Sequence, residues 1–142
     1  MLVLNNKIRL FVPTENNDGE KIFCSTLKRS MLHITNIVGG GTTYDAQGSW
    51  VSDSGLLMKD NVSVTEWAFD RLELSSKEQL GYLSDMVAWV VFSLIENHQQ
   101  YAVSIEVNGT LYIIEKNDIL KYSDNSEICD IEKCKKLISS II

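Results

Sequence analysis

The sequence predicts an α+β protein with a ferredoxin-like, split β-α-β antiparallel sheet. The order is strand, helix, strand, strand, helix, strand, extended by a hairpin strand and a C-terminal helix. Three observations predict it. Apolar residues alternate at a period of two in residues 7–12, and the turn-forming cluster Ser52-Asp53-Ser54-Gly55 joins two further strand-like runs, the second apolar on both faces near its end. Two other segments space their apolar residues by three and four, the period of a helix with one buried face. Finally, Asn108-Gly109 separates two strand-like runs, and this dipeptide suits the two positive-φ positions of a tight hairpin turn.

Each element follows from local chemistry. In residues 7–12, Ile8, Leu10 and Val12 alternate with Lys7, Arg9 and Phe11, and Pro13 ends the run. After a polar loop, Phe23, Leu27, Met31 or Leu32, Ile34 and Val38 form a helical stripe from about Glu20. Gly39 stops it, because glycine accepts the left-handed conformation that closes a helix. Residues 42–51 and 56–72 read as the next two strands. In the second, Val62, Val64, Glu66 and Ala68 share one face and Thr65, Trp67 and Phe69 the other. Ser75-Ser76-Lys77-Glu78 has the form of a capping box. The long helix it would start carries Leu80, Leu83, Val87, Val90, Val91 and Leu94, and ends near Asn97-His98. The hairpin pairs residues 101–107 with 110–116, so that Val103, Ile105 and Val107 share a side with Tyr112 and Ile114. Residues 1–116 are thus expected as the ferredoxin-like domain. Residues 117–142 form an extension whose apolar helix either packs on that domain or meets a partner.

A chain of 142 residues with 44% hydrophobic and 23% charged residues and one proline has the composition of a folded domain. Its net charge of −6 repels polyanions and disfavours nucleic acid as a partner. The start MLVLNNKIRLFVP lacks the form of a signal peptide, and no apolar run is long enough to span a membrane. Cys24, Cys129 and Cys134 are an odd, widely spaced set that suits reduced thiols. A cytoplasmic location follows, with no membrane association.

The most unusual stretch is IVGGGTTYDAQGSW, residues 37–50. A nucleotide P-loop would need a lysine after its last glycine, and none follows. A dinucleotide loop would run from a strand into a helix, whereas these glycines run from a helix into a strand. The helix end they meet carries partial negative charge and disfavours an anion. The run reads as a helix stop and turn.

Other chemistry is sparse. His33 and His98 are the two histidines, and the cysteines lack a zinc spacing, so neither a metal nor a cofactor is expected. Cys24 and His33 lie about 13 Å apart along one helix and cannot form a nucleophile-base pair. His98 falls at the negative end of the long helix. Glu66 shares its strand face with apolar residues, so it either takes Arg9 or Arg71 as an ion partner or sits at a solvated rim. No carboxylates form an evident acid-base pair. The candidate partner-binding residues are the aromatics Tyr44, Trp50, Trp67 and Phe69 with the carboxylates Asp45, Asp53, Asp60 and Glu66. Trp67 and Phe69 are expected on a sheet face that the helices leave open.

A helix ending in VGGGTT, followed by YDAQGSWVSDSG and the strand VSVTEWAF, resembles small uncharacterised ferredoxin-like proteins of bacteria, phages and mobile elements. The resemblance spans residues 7–114 and rests on structural signatures. It implies an acidic, non-enzymatic interaction protein, a homodimer through the open face that binds a protein partner. For a phage or mobile element, that partner would be a host defence nuclease or effector. The alternative is a small-molecule or nucleotide-binding protein, or an enzyme, with a pocket on the open face lined by Tyr44, Trp50, Trp67, Glu66 and Arg9.

Overall fold

The computed structural model describes residues 1–22, 24–122 and 128–142. Phe23 of the expected helical stripe and residues 123–127 of the polar stretch lie outside the described residues. The elements are β1 (Asn6–Pro13), α1 (Ser25–Val38), β2 (Thr42–Val51), β3 (Leu57–Phe69), α2 (Arg71–Ser76), α3 (Gln79–Glu96), β4 (Ala102–Val107), β5 (Thr110–Glu115), α4 (Lys116–Lys121) and α5 (Ile131–Ile141). The strands form one sheet in the order β2-β3-β1-β4-β5, antiparallel at every pairing. β3 lies between β1 and β2, which is the split β-α-β arrangement expected of the ferredoxin-like fold.

Alternation along β1 decides the layers. Ile8, Leu10 and Val12 turn to the helices and join one core with Trp67, Phe69, Val103, Ile105, Val107 and Ile114 of the other strands. Leu27 and Ile34 of α1 and Leu83, Val87, Val90, Val91 and Leu94 of α3 cover them. α3 packs against both α1 and α5, which explains why this helix is apolar over most of its circumference. Cys134 and Ile138 of α5 belong to the same core, so the C-terminal helix packs on the sheet-and-helix body.

Three local expectations need correction. The helix after β1 starts at Ser25, because residues 14–22 fold back in a turn with Glu15 bridged to Lys21. The Ser75 capping box does not form. Asp70 caps first, its side chain accepting from the Leu72 N–H at 3.0 Å, and the resulting short α2 absorbs Ser75. Glu78, the expected box partner, takes a left-handed conformation (φ 60) between α2 and α3.

The third correction concerns Trp67 and Phe69, which are 1% and 3% exposed on the helix-covered face and not on the open one. The alternation was readable, but both faces of β3 carry apolar residues, so its pattern alone does not say which face is covered. Pairing decides it: Ile8 stands opposite Trp67 and Leu10 opposite Thr65. The indole N–H, costly to bury unpaired, donates to Thr35 Oγ1 of α1 at 2.9 Å.

This indole also explains the glycines. Gly39 closes α1 at φ 94, its N–H donating to the Thr35 carbonyl at 2.8 Å, as expected of a helix stop. Gly41 is needed for space, since a Cβ there would lie 2.6 Å from Trp67 Nε1. Around Gly40 a Cβ would meet nothing within 4 Å. Gly41→Ala is therefore expected to lower stability by about 1–3 kcal/mol through overpacking, and Gly40→Ala to change it far less. Urea unfolding of the two variants checks the contrast, and equal midpoints would contradict it.

Candidate functional site

The helices leave one sheet face uncovered, and strand register places two complete rows of side chains across it. One row runs Leu111, Glu106, Arg9, Glu66, Thr42 from β5 to β2. Beside it runs Ile113, Ser104, Phe11, Val64, Tyr44. The first is charged at its centre and the second is largely apolar.

The charged centre is tightly organised. Arg9 Nε donates to Glu66 Oε2 at 2.7 Å, and Arg9 Nη1 lies 3.4 Å from Glu106 Oε1. Lys7 Nζ stands 3.9 Å from Glu66 Oε1. The Asn108 turn holds Lys7 in place, since the Lys7 N–H donates to Asn108 Oδ1 at 2.8 Å and the Asn108 N–H to the Lys7 carbonyl at 2.9 Å. The hydrogen bond from Arg9 holds the Glu66 carboxyl below its ordinary range against partial burial, with Lys7 adding to the effect. Reciprocally, Glu66 and then Glu106 raise the Arg9 guanidinium. The two cations and two carboxylates balance, and their side chains keep enough solvent access for a ligand to reach them.

The apolar row is half wet. Val64 is 1% exposed, although it stands outside the helix-covered core and has only its open-face neighbours to cover it. Tyr44, directly across from it, is 42% exposed. At the end of the face nearest α1, a cleft of about 470 Å³ is lined by Leu2, Leu4, Lys7, Gly39–Thr42 and Glu66, among others. The glycine run thus forms the wall of a cleft. It does so at the C-terminal end of α1, where the helix dipole favours a cation.

The structure separates the sequence-predicted residues. Glu66 and Tyr44 belong to the two rows, and Arg9 is the ion partner of Glu66. Arg71 instead starts α2, its N–H donating to Asn6 Oδ1. Trp50 and Asp60 bond to each other at 2.9 Å, Trp50 Nε1 donating, far out on the β2-β3 ribbon. Trp50 is eight residues along β2 from Thr42, or roughly 26 Å at strand rise, and Asp53 lies in the turn beyond it. Asp45 is exposed on β2, its partner Ser63 marking the opposite face from Glu66. Trp67 and Phe69 are in the core. Sequence reasoning missed Glu106, Lys7 as part of the site, and Phe11. Charged Glu106 amid apolar Ile105 and Val107 was a signal, but its meeting with Arg9 depends on β1-β4 register.

Among the described residues, no group of three or more His, Cys, Asp or Glu side chains could hold a metal ion, and no helix is long and apolar enough to cross a membrane.

No protein-family model and no curated protein sequence matches the chain. Among solved structures, it is similar in fold to a phage SAM lyase in complex with S-methyl-5'-thioadenosine. The TM-score is 0.54 at 19% identity, covering 81% of this chain and 93% of that one. A phage SAM lyase in the apo state matches at a TM-score of 0.43 and 15% identity, over 79% of this chain and 90% of that one. The first likeness shows the shared fold. It also corrects the expectation of a non-enzymatic inhibitor of a host nuclease or effector: the solved protein of similar fold is a phage SAM lyase with S-methyl-5'-thioadenosine bound.

The ion cluster has a pH signature. Because the folded Glu66 value is depressed, its contribution to stability is complete above the unfolded carboxylate value of about 4.3 and is lost as pH falls through the folded value. Wild type should therefore lose its stability advantage over Glu66→Gln on acidification. Urea midpoints of both proteins at several pH values measure this, and a pH-independent gap would contradict the pairing.

Proposed function

We propose that the protein is an enzyme that binds an adenosyl sulfonium of the S-adenosylmethionine type on its open sheet face. There it cleaves a carbon–sulfur bond to release S-methyl-5'-thioadenosine. The observation that carries this reading is the row Glu106-Arg9-Glu66 beside an apolar row, on the uncovered face of a fold shared with a phage SAM lyase.

The substrate's chemistry suits this surface. Its sulfur carries a fixed positive charge, its amino-acid end is zwitterionic, and its adenine is flat and apolar. Glu66 and the C-terminal end of α1 favour the sulfonium. Lys7 and Arg9 suit the substrate carboxylate. Phe11 and Tyr44, packed over buried Val64, offer the adenine an apolar shelf.

Cleavage can proceed by removal of a carbon-bound proton or by attack of the substrate's own carboxylate on the carbon attached to sulfur. Ion-paired Glu66 is a weak base, which favours the second route. In that step a carbon–oxygen bond forms as the carbon–sulfur bond breaks. The electron pair passes to sulfur, which leaves as a neutral thioether, and the aminobutyrate part closes to a lactone with no proton transferred. The protein's part is to hold the chain folded for attack and to set the field around a charge that disappears.

Incubation of the purified protein with S-adenosylmethionine, followed by chromatography, tests the reading. S-methyl-5'-thioadenosine should accumulate well above the uncatalysed rate. Glu66→Gln and Glu106→Gln should each lower kcat/KM by roughly a hundredfold or more, the scale of losing one preorganised electrostatic group. Absence of turnover in the folded wild-type protein would overturn it.

A further inference from the structure

A second cluster of reactive groups lies on the helix side of the sheet, away from the open face. Cys24 starts α1 in an extended conformation (φ −133, ψ 125), so its sulfur stands at the positive end of a 14-residue helix. The end of α3 and the segment after it bring two further groups to the same place. Buried Ser93 Oγ lies 4.0 Å from Cys24 Sγ, and His98 presents its side chain to the thiol. His98 Nε2 is sealed from solvent and has no hydrogen-bond partner among the described residues. An imidazole nitrogen so placed is costly unless something charged or polar answers it, and a thiolate at Cys24 would do so.

We propose that Cys24 is a nucleophilic modification site, activated by His98 and the start of α1, that peroxides oxidise to a sulfenic acid. Cys24 is a partly exposed residue, as such a site requires. The N–H groups of Leu27 and Thr26, the His98 side chain and the Ser93 hydroxyl all favour its anion over the opposing effect of burial, and they bring the thiol down to about 6. In the reaction the thiolate attacks one peroxide oxygen and a sulfur–oxygen bond forms as the oxygen–oxygen bond breaks. For hydrogen peroxide the electron pair leaves with hydroxide, which takes a proton from solvent and departs as water. Sulfur loses two electrons and the peroxide gains them.

The other two cysteines are internal controls. Burial and the nearby Glu96 push the Cys129 thiol up to about 11. Burial pushes Cys134 up to about 12, and its thiol donates to the Ala88 carbonyl at 3.4 Å.

The test is site-resolved alkylation of the full-length folded protein with iodoacetamide across a pH series, read by mass spectrometry. A parallel hydrogen peroxide treatment is trapped with a sulfenic-acid reagent. Cys24 should react at neutral pH at least roughly tenfold faster than Cys129 or Cys134, with its rate half-maximal near 6. Peroxide should mark Cys24 alone. His98→Gln should move the half-maximal pH toward the ordinary thiol value of about 8.5. A wild-type midpoint already at that value overturns the proposal whether or not the variant folds, and so does an unchanged midpoint in a folded His98→Gln protein.

Discussion

The alternation of β1 at the centre of the sheet is the constraint on which the rest of the molecule depends. Because this strand pairs with both β3 and β4, each of its residues is locked to a partner on either side. Ile8, Leu10 and Val12 define the covered face, and with it the seat of α1 and α3. Arg9 consequently points the other way, into a sheet surface where a lone guanidinium would be costly beside apolar neighbours. Glu66 and Glu106, its partners in register, remove that cost. A slip of one residue would exchange the faces, placing Arg9 under the helices and Ile8 in water. Core and candidate site are two sides of one register.

The same link ties the glycine run to the site. Trp67 fills the core beneath the end of α1, and its ring requires Gly41 to lack a side chain. The close approach lets β2 leave the helix directly into the row that begins at Thr42, beside Glu66. Bare backbone at the negative end of a helix then lines the cleft. For that reason this stretch suits a cation, while its likeness to a phosphate loop is superficial.

Much of the fold was legible in the residues themselves. Gly39 as a helix stop and Asn108-Gly109 as a turn with φ 51 and 85 were readable because each depends on local conformation. The capping box at Ser75 was not, since Asp70 offered an earlier cap and nothing local ranks two competing caps. The site was legible in part. Glu66 stood out as a charge on an apolar face, and Arg9 was one of two cations that could answer it. Choosing between Arg9 and Arg71, and finding Glu106 about forty residues further on, required strand pairing, which is a long-range property. Trp67 and Phe69 misled for the same reason: a strand apolar on both faces does not announce which one the helices cover.

An adenosine-bearing ligand on the open face is the central claim. Chemical-shift mapping of the isotope-labelled protein during titration with S-methyl-5'-thioadenosine, a product that cannot turn over, tests it most directly. The account predicts saturable shifts at Phe11, Val64, Tyr44, Thr42 and Glu66, with the α3 core residues unmoved. Shifts confined to the helix-covered side, or none at concentrations that saturate ordinary nucleoside sites, would contradict it.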